Sequence, residues 1–168
     1  MGMMILKSKY HIVAIIKIAM YRILFGKNFQ VRGGTTFRRF FNIYLENGAY
    51  IKIGKDCFFN HGCSVNALKG VKIGDECIFG ENVKIYDHNH QFVDAKTRLK
   101  DQGYATSAVT IGNRCWFGSN VIVLKGVNIG NNCVIGAGSI INQDIPDDSI
   151  VMSNRDLDIK KIIRKEVE

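Results

Sequence analysis

Proline is almost missing: Pro146 is the only one in 168 residues. Cysteine is present five times but never in a Cys-x-x-Cys spacing, so a zinc site has little support. An odd count does not close into a full disulfide framework and points to reduced thiols in a cytosolic protein. Long apolar runs are missing too. The most apolar stretch, IVAIIKIAMYRILF, is broken by Lys17 and Arg22 and falls short of the ~18 residues of a membrane span. No small-residue cleavage site accompanies it, so no secretory signal is expected. Neither a helix-turn-helix pattern nor an aromatic RNA-binding strand occurs, and nucleic acid is not an expected partner. Acidic residues are the minority, 15 against 23 Lys and Arg, and the net charge of +8 suits an anionic partner such as a phosphorylated cofactor or an acidic membrane surface.

What the chain does have is seventeen glycines and a repeat. Over residues 109–146 the large apolar residues Ile111, Phe117, Val123, Ile129, Ile135 and Ile141 fall at an unbroken spacing of six. The residue after each is mostly glycine (Gly112, Gly118, Gly130, Gly136), and the residue four after each is mostly small (Cys115, Val121, Val127, Cys133, Ser139). Neither a 3.6-residue helix nor a period-two strand produces this, whereas a hexapeptide solenoid does. Each six is one short strand and a turn, and three sixes make one coil of a triangular β-helix. The large residue fills the interior, the small one packs at the bend, and glycine is expected to supply unusual corner angles. Gly54, Asn60 and Asn66 stand at that corner position in an earlier coil. All five cysteines (Cys57, Cys63, Cys77, Cys115, Cys133) occupy the small inward position, where cysteine acts as a compact hydrophobe.

In chain order, residues 1–28 lack glycine and proline between Met3 and Phe25 and predict one or two helices. Their amphipathicity is imperfect at 100° per residue. One reading packs this segment on the solenoid end or a neighbouring subunit; the other lays it on an anionic membrane as a basic amphipathic helix. The solenoid domain spans residues 29–155. Strands begin at Phe29, and the clear repeat starts at Ile53, with a slip of two residues before Ile73. Residues 86–108 have no hexapeptide register and form an excursion, and a long loop in a compact solenoid is usually functional. Residues 156–168 predict a short amphipathic helix that caps the last coil.

The segments IGDECIFGENVKIY, VTIGNRCWFGSN and GAGSIINQDIPDDS carry a resemblance. From Ile53 to about Ile150, roughly sixty per cent of the chain, the sequence resembles the hexapeptide-repeat acyltransferases, nearest their galactoside and maltose O-acetyltransferase and polysaccharide-modifying branches. The resemblance implies a left-handed parallel β-helix, a homotrimer with sites between subunits, and transfer of acetyl from acetyl-CoA to a hydroxyl of a sugar or glycan precursor, with no metal. An amine acceptor or a non-catalytic scaffold are the alternatives. A hydroxyl is a poor nucleophile at neutral pH, which suits a histidine base, and the thioester oxyanion needs a preorganised donor.

Aligned on the repeat, the resemblance puts the base at His90, in Asp87-His88-Asn89-His90, with His88 as competitor. In extended backbone the two share one side. Asn60, Asp87 and Trp116 are the implied acceptor-side residues, Asn60 being equally explained as a corner. Trp116 also matches a tryptophan beside the pantetheine arm. Ser119 matches the residue whose N–H faces the oxyanion, and Gly136 and Ala137 match the small residues along pantetheine. Gln143 stands where a lysine is common, and SNRDLDIKK replaces the usual segment that follows. Of that usual segment Asn154 is retained, so the CoA phosphates fall to Arg155, Lys160 or Lys161, or to Lys125 across a subunit boundary.

Overall fold

Every large apolar residue of the ladder points inward. In the computed structural model, which describes residues 2–46 and 48–152 and side chains from residue 10 onward, Ile111, Phe117, Val123, Ile129, Ile135 and Ile141 are at most 3% exposed. The small positions are buried with them. The helix expected over residues 156–168, together with Asn154, Arg155 and Lys160, lies outside the described residues.

The strands stack into three parallel faces. The first holds Phe29–Val31, Tyr50–Ile53, Gly70–Ile73, Val109–Ile111 and Asn128–Ile129. The second runs from Thr36–Phe37 through Phe58–Phe59, Ile78–Phe79, Trp116–Phe117 and Val134–Ile135 to Ile150–Val151. The third comprises Asn42–Leu45, Ser64–Ala67, Lys84–Tyr86, Ile122–Val123 and Ile140–Ile141. Three sheets closed into a prism make the left-handed parallel β-helix. Inside it, phenylalanines stack from coil to coil: Phe59 on Phe79 with centroids 4.3 Å apart, and Phe79 on Phe117 at 4.7 Å. Full burial of such a ring stabilises the fold by about 1.5–3 kcal/mol.

The corner glycines act differently from the expectation. The left-handed residue of each corner is the third after the large apolar one, as at Arg114 (φ 54°), Asn120 (φ 60°), Asn132 (φ 56°) and Gly138 (φ 71°). Gly112 and Gly118, directly after the large residue, are glycine because the next coil is too close. A Cβ on Gly112 would lie 2.6 Å from the Gly130 carbonyl carbon, and one on Gly118 would lie 2.5 Å from the Ala137 nitrogen. Glycine there is a stacking requirement, and the same correction removes Asn60 from the left-handed set.

The cysteines are free and buried, and four of them line up along one bend. Each thiol of that column donates to a carbonyl of the next coil: Cys57 to Gly74 (3.1 Å), Cys77 to Gly112 (3.2 Å), Cys115 to Gly130 (3.1 Å) and Cys133 to Pro146 (3.2 Å). Thr35 begins the column with a hydroxyl bond to Gly54. Sulfur fits where a hydroxyl also fits, since both are small and can satisfy one carbonyl.

The register also locates the irregularities. Val31, Ile53, Ile73, Ile111 and Ile129 are stacked partners on the first face. Their separations along the chain are twenty-two, twenty, thirty-eight and eighteen residues. All the extra residues lie where the third face returns to the first, so the slip before Ile73 and the excursion are insertions at one and the same edge. Residues 2–25 form one helix, α1 (Gly2–Phe25), followed by a 3-10 turn at Gly26–Asn28. Its buried Ala14 and Tyr21, with Ile18 and Phe25 beside them, close the open end of the core.

Candidate functional site

A triangular prism has three edges, and here they differ chemically. Between the first and second faces, four successive corner N–H groups are each taken by a side chain of the next coil. Lys55 N–H donates to Asp75 (2.9 Å), Asp75 to Asn113 (2.8 Å), Asn113 to Asn131 (2.9 Å) and Asn131 to Asp147 (2.7 Å). This edge is chemically closed.

The edge between the second and third faces is open at its lower end. His61 N–H is taken by the adjacent Asn60 side chain (2.9 Å), and Glu81 N–H by the Ser119 hydroxyl (3.2 Å). No acceptor among the described residues takes the Ser119 or Ala137 N–H. Between them Gly118 and Gly136 keep the surface free of side chains. Beside this edge, Trp116 projects outward at 55% exposure, flanked by its strand partners Ile78 and Val134. Apolar side chains next to two unpaired donors make a surface suited to a flexible amide-bearing chain and to one developing negative charge.

The third edge carries the excursion. Its stem is an antiparallel pair, His88–His90 against Tyr104–Thr106, with His90 opposite Tyr104. Asp87 anchors the stem and is fully buried. Its carboxylate accepts from Leu68 N–H (2.9 Å), Lys69 N–H (2.7 Å), Gly70 N–H (2.6 Å) and the His88 Nδ1 (3.0 Å). An acceptor-only partner fixes His88 with its proton on Nδ1 and leaves Nε2 as the lone-pair nitrogen of the neutral ring. His90 points to the same side one pleat further out, exposed, with its ring 4.5 Å from that of Tyr104. Ser107, at the end of the excursion, accepts from Gly126 N–H (2.9 Å), which brings half-buried Lys125 to this edge as well.

The implied site residues therefore divide. Asn60, Trp116, Ser119, Gly136 and Ala137 gather along the open edge; His88, His90 and Lys125 gather along the excursion edge. Within one chain the structure does not bring the two sets together. Asp87, expected on the acceptor side, has no exposed surface, and its oxygens are taken by three backbone N–H groups and the His88 ring. Tyr104, the cross-strand neighbour of the outer histidine, was missed by sequence reasoning. A three-residue ladder is too short to show a period, and only the return of extended-favouring residues after Gly103 hints at it.

Comparison with known proteins agrees with the architecture. The family model described as "Hexapeptide repeat of succinyl-transferase" matches residues 50–86 and 108–143. Galactoside O-acetyltransferase of Escherichia coli is 36% identical over 104 residues, 62% of this chain and 50% of that protein. A maltose O-acetyltransferase from Clostridium difficile superposes with a TM-score of 0.58 at 31% identity, covering 79% of this chain and 71% of that one. A hexapeptide-repeat acetyltransferase from Vibrio cholerae, solved in complex with acetyl coenzyme A, gives 0.63 at 25% identity, covering 79% and 68%. The chain spans between half and two thirds of the first curated relatives it matches, 62% and 50% of their lengths.

Proposed function

The chain belongs to the hexapeptide-repeat family, and from that premise we propose that it transfers acetyl from acetyl-CoA to a hydroxyl of a sugar or glycan precursor, as a homotrimer whose sites lie between chains. One observation carries this reading: the histidines and the unpaired amides occupy different edges of the same prism, so a complete site needs the excursion edge of one chain facing the open edge of the next. The relatives that set the chemistry are the galactoside and maltose O-acetyltransferases and the acetyl-CoA complex.

In this reading pantetheine runs along Gly118 and Gly136 beside Trp116, its amides within reach of the Ala137 N–H. The acceptor hydroxyl gives its proton to His90 as its oxygen attacks the thioester carbonyl. The Ser119 N–H holds the resulting oxyanion. Collapse breaks the carbon–sulfur bond, and the imidazolium returns the proton to the departing thiolate. Asn60, whose oxygen is engaged by His61, keeps its amide nitrogen for an acceptor oxygen. Five reduced, buried thiols support a cytoplasmic setting.

His90 serves as the base because it is the outer of the two rings and faces the gap that a neighbouring chain would fill. The Asp87 contact favours a second reading, in which His88 is the base and His90 binds the acceptor. Thiol release from acetyl-CoA, measured over a panel of sugars and amines, tests both. His90→Ala is expected to lower kcat by roughly 10²–10⁴-fold with the best sugar, and His88→Ala by less. The reverse order would transfer the role to His88. Turnover only with amines would replace the hydroxyl acceptor, and absence of both turnover and CoA binding would leave a scaffold.

A further inference from the structure

The amino-terminal helix is polar on the wrong side. Ile12, Ile15, Ile16, Met20, Ile23 and Leu24 of α1 are between 44% and 84% exposed. At 100° per residue they fall within one half of the helix circumference. The cations at the flanks of that half turn inward: Lys17 Nζ donates to the Phe41 carbonyl (3.1 Å), and Arg22 Nη2 to the Val31 carbonyl (2.6 Å). They cap the first coil, and a continuous apolar face is left outward.

A second apolar feature adjoins it. Phe40, next to the carbonyl that Lys17 holds, is 72% exposed at a φ of 61°. The other non-glycine residues described with positive φ are Asp, Glu, Asn or Arg. A bulky aromatic in the left-handed region is strained, and with most of its surface in water it gains little packing to offset that strain, a mark of function rather than of folding. Arg39 stands exposed beside it, and Arg38 lies over the Tyr10 ring.

The third observation is the distribution of charge. Before Glu46 the sequence contains eight Lys and Arg and no acidic residue. The remaining fifteen cations and fifteen acids cancel, so the helix and the first coil hold the whole net charge of +8. A second copy of this chain would bring the same cations to any face-to-face contact, whereas an anionic surface complements them. No described helix is long and apolar enough to cross a membrane.

We propose that α1 and the Phe40 corner dock on an anionic lipid surface, the helix lying in its plane with the apolar half in the headgroup–acyl boundary and the basic residues of the first coil above it. This inference does not rest on the transfer chemistry. Co-sedimentation of the full chain with phosphatidylcholine vesicles, with and without phosphatidylglycerol, tests it. The chain should pellet with the anionic vesicles only, and less in high salt. The double variant Ile16→Glu/Ile23→Glu should lose binding roughly tenfold with an unchanged thermal melt, since both side chains are already in water. Pelleting by the variant equal to that of the parent would overturn the proposal, as would equal pelleting with neutral vesicles. No vesicle binding together with loss of self-association in the variant, seen by sedimentation velocity, would also overturn it and assign the face to a contact between copies.

Discussion

A methyl group separates two kinds of glycine in this chain. At Gly112 a Cβ would press on the backbone of the next coil at 2.6 Å, a contact that no side-chain rotation relieves. At Gly33 a Cβ meets nothing within 4 Å and φ lies outside the left-handed region. Gly112→Ala should therefore lower the unfolding free energy by about 1–3 kcal/mol. Gly33→Ala should leave it unchanged or raise it by up to about 1 kcal/mol through the less flexible unfolded chain. Denaturant midpoints of the two variants check the pair, and equal losses would mean that coil stacking is not the constraint. The inward register was legible because burial repeats at a fixed spacing, as Ile111 to Ile141 show. The reason for each glycine was not legible, because composition shows that a side chain is missing without showing whether angle or contact removed it.

At the scale of the element, four thiols form a column and the fifth, Cys63, packs at another bend, and all five are buried. All five should resist a thiol reagent in the native protein and react together once it is unfolded, and any fast native thiol would mark a bend that opens. Burial pushes Cys63 up to about 11 from its ordinary 9.0. The sign follows from linkage. The folded state holds this proton more tightly than the unfolded state, so the contribution is fully present below pH 9 and is lost as pH rises towards 11. Melting temperature should accordingly fall across that alkaline window, and Cys63→Ser should flatten the fall. The hairpin stem behaves oppositely to the column with respect to the sequence. Asp87 and both histidines were visible as a motif, and their place on an excursion followed from the broken repeat. That Asp87 is an internal anchor, receiving three N–H groups of the Leu68–Gly70 corner, depends on a coil-to-coil contact at a distance of some eighteen residues, which no local pattern encodes.

Across the whole molecule, the separation of the two edges makes a quantitative expectation. His90→Ala disables the excursion edge and leaves the open edge intact. Ala137→Trp fills the open edge from an exposed position and leaves the histidines intact. Each variant alone should be inactive. Co-expressed in equal amounts and assembled at random, they place an intact excursion edge against an intact open edge in about a quarter of the contacts between chains, and activity should return to about that fraction of the parent's. Sites completed inside one chain would give no recovery, because every chain would then carry its own defect. Recovery with both variants but none when one partner is the His90→Ala/Ala137→Trp double variant would show that each chain lends a single edge. That expectation follows from the proposed assembly: the Asp and Asn ladder occupies one edge, while the histidines and the amides of Ser119 and Ala137 lie on the two others.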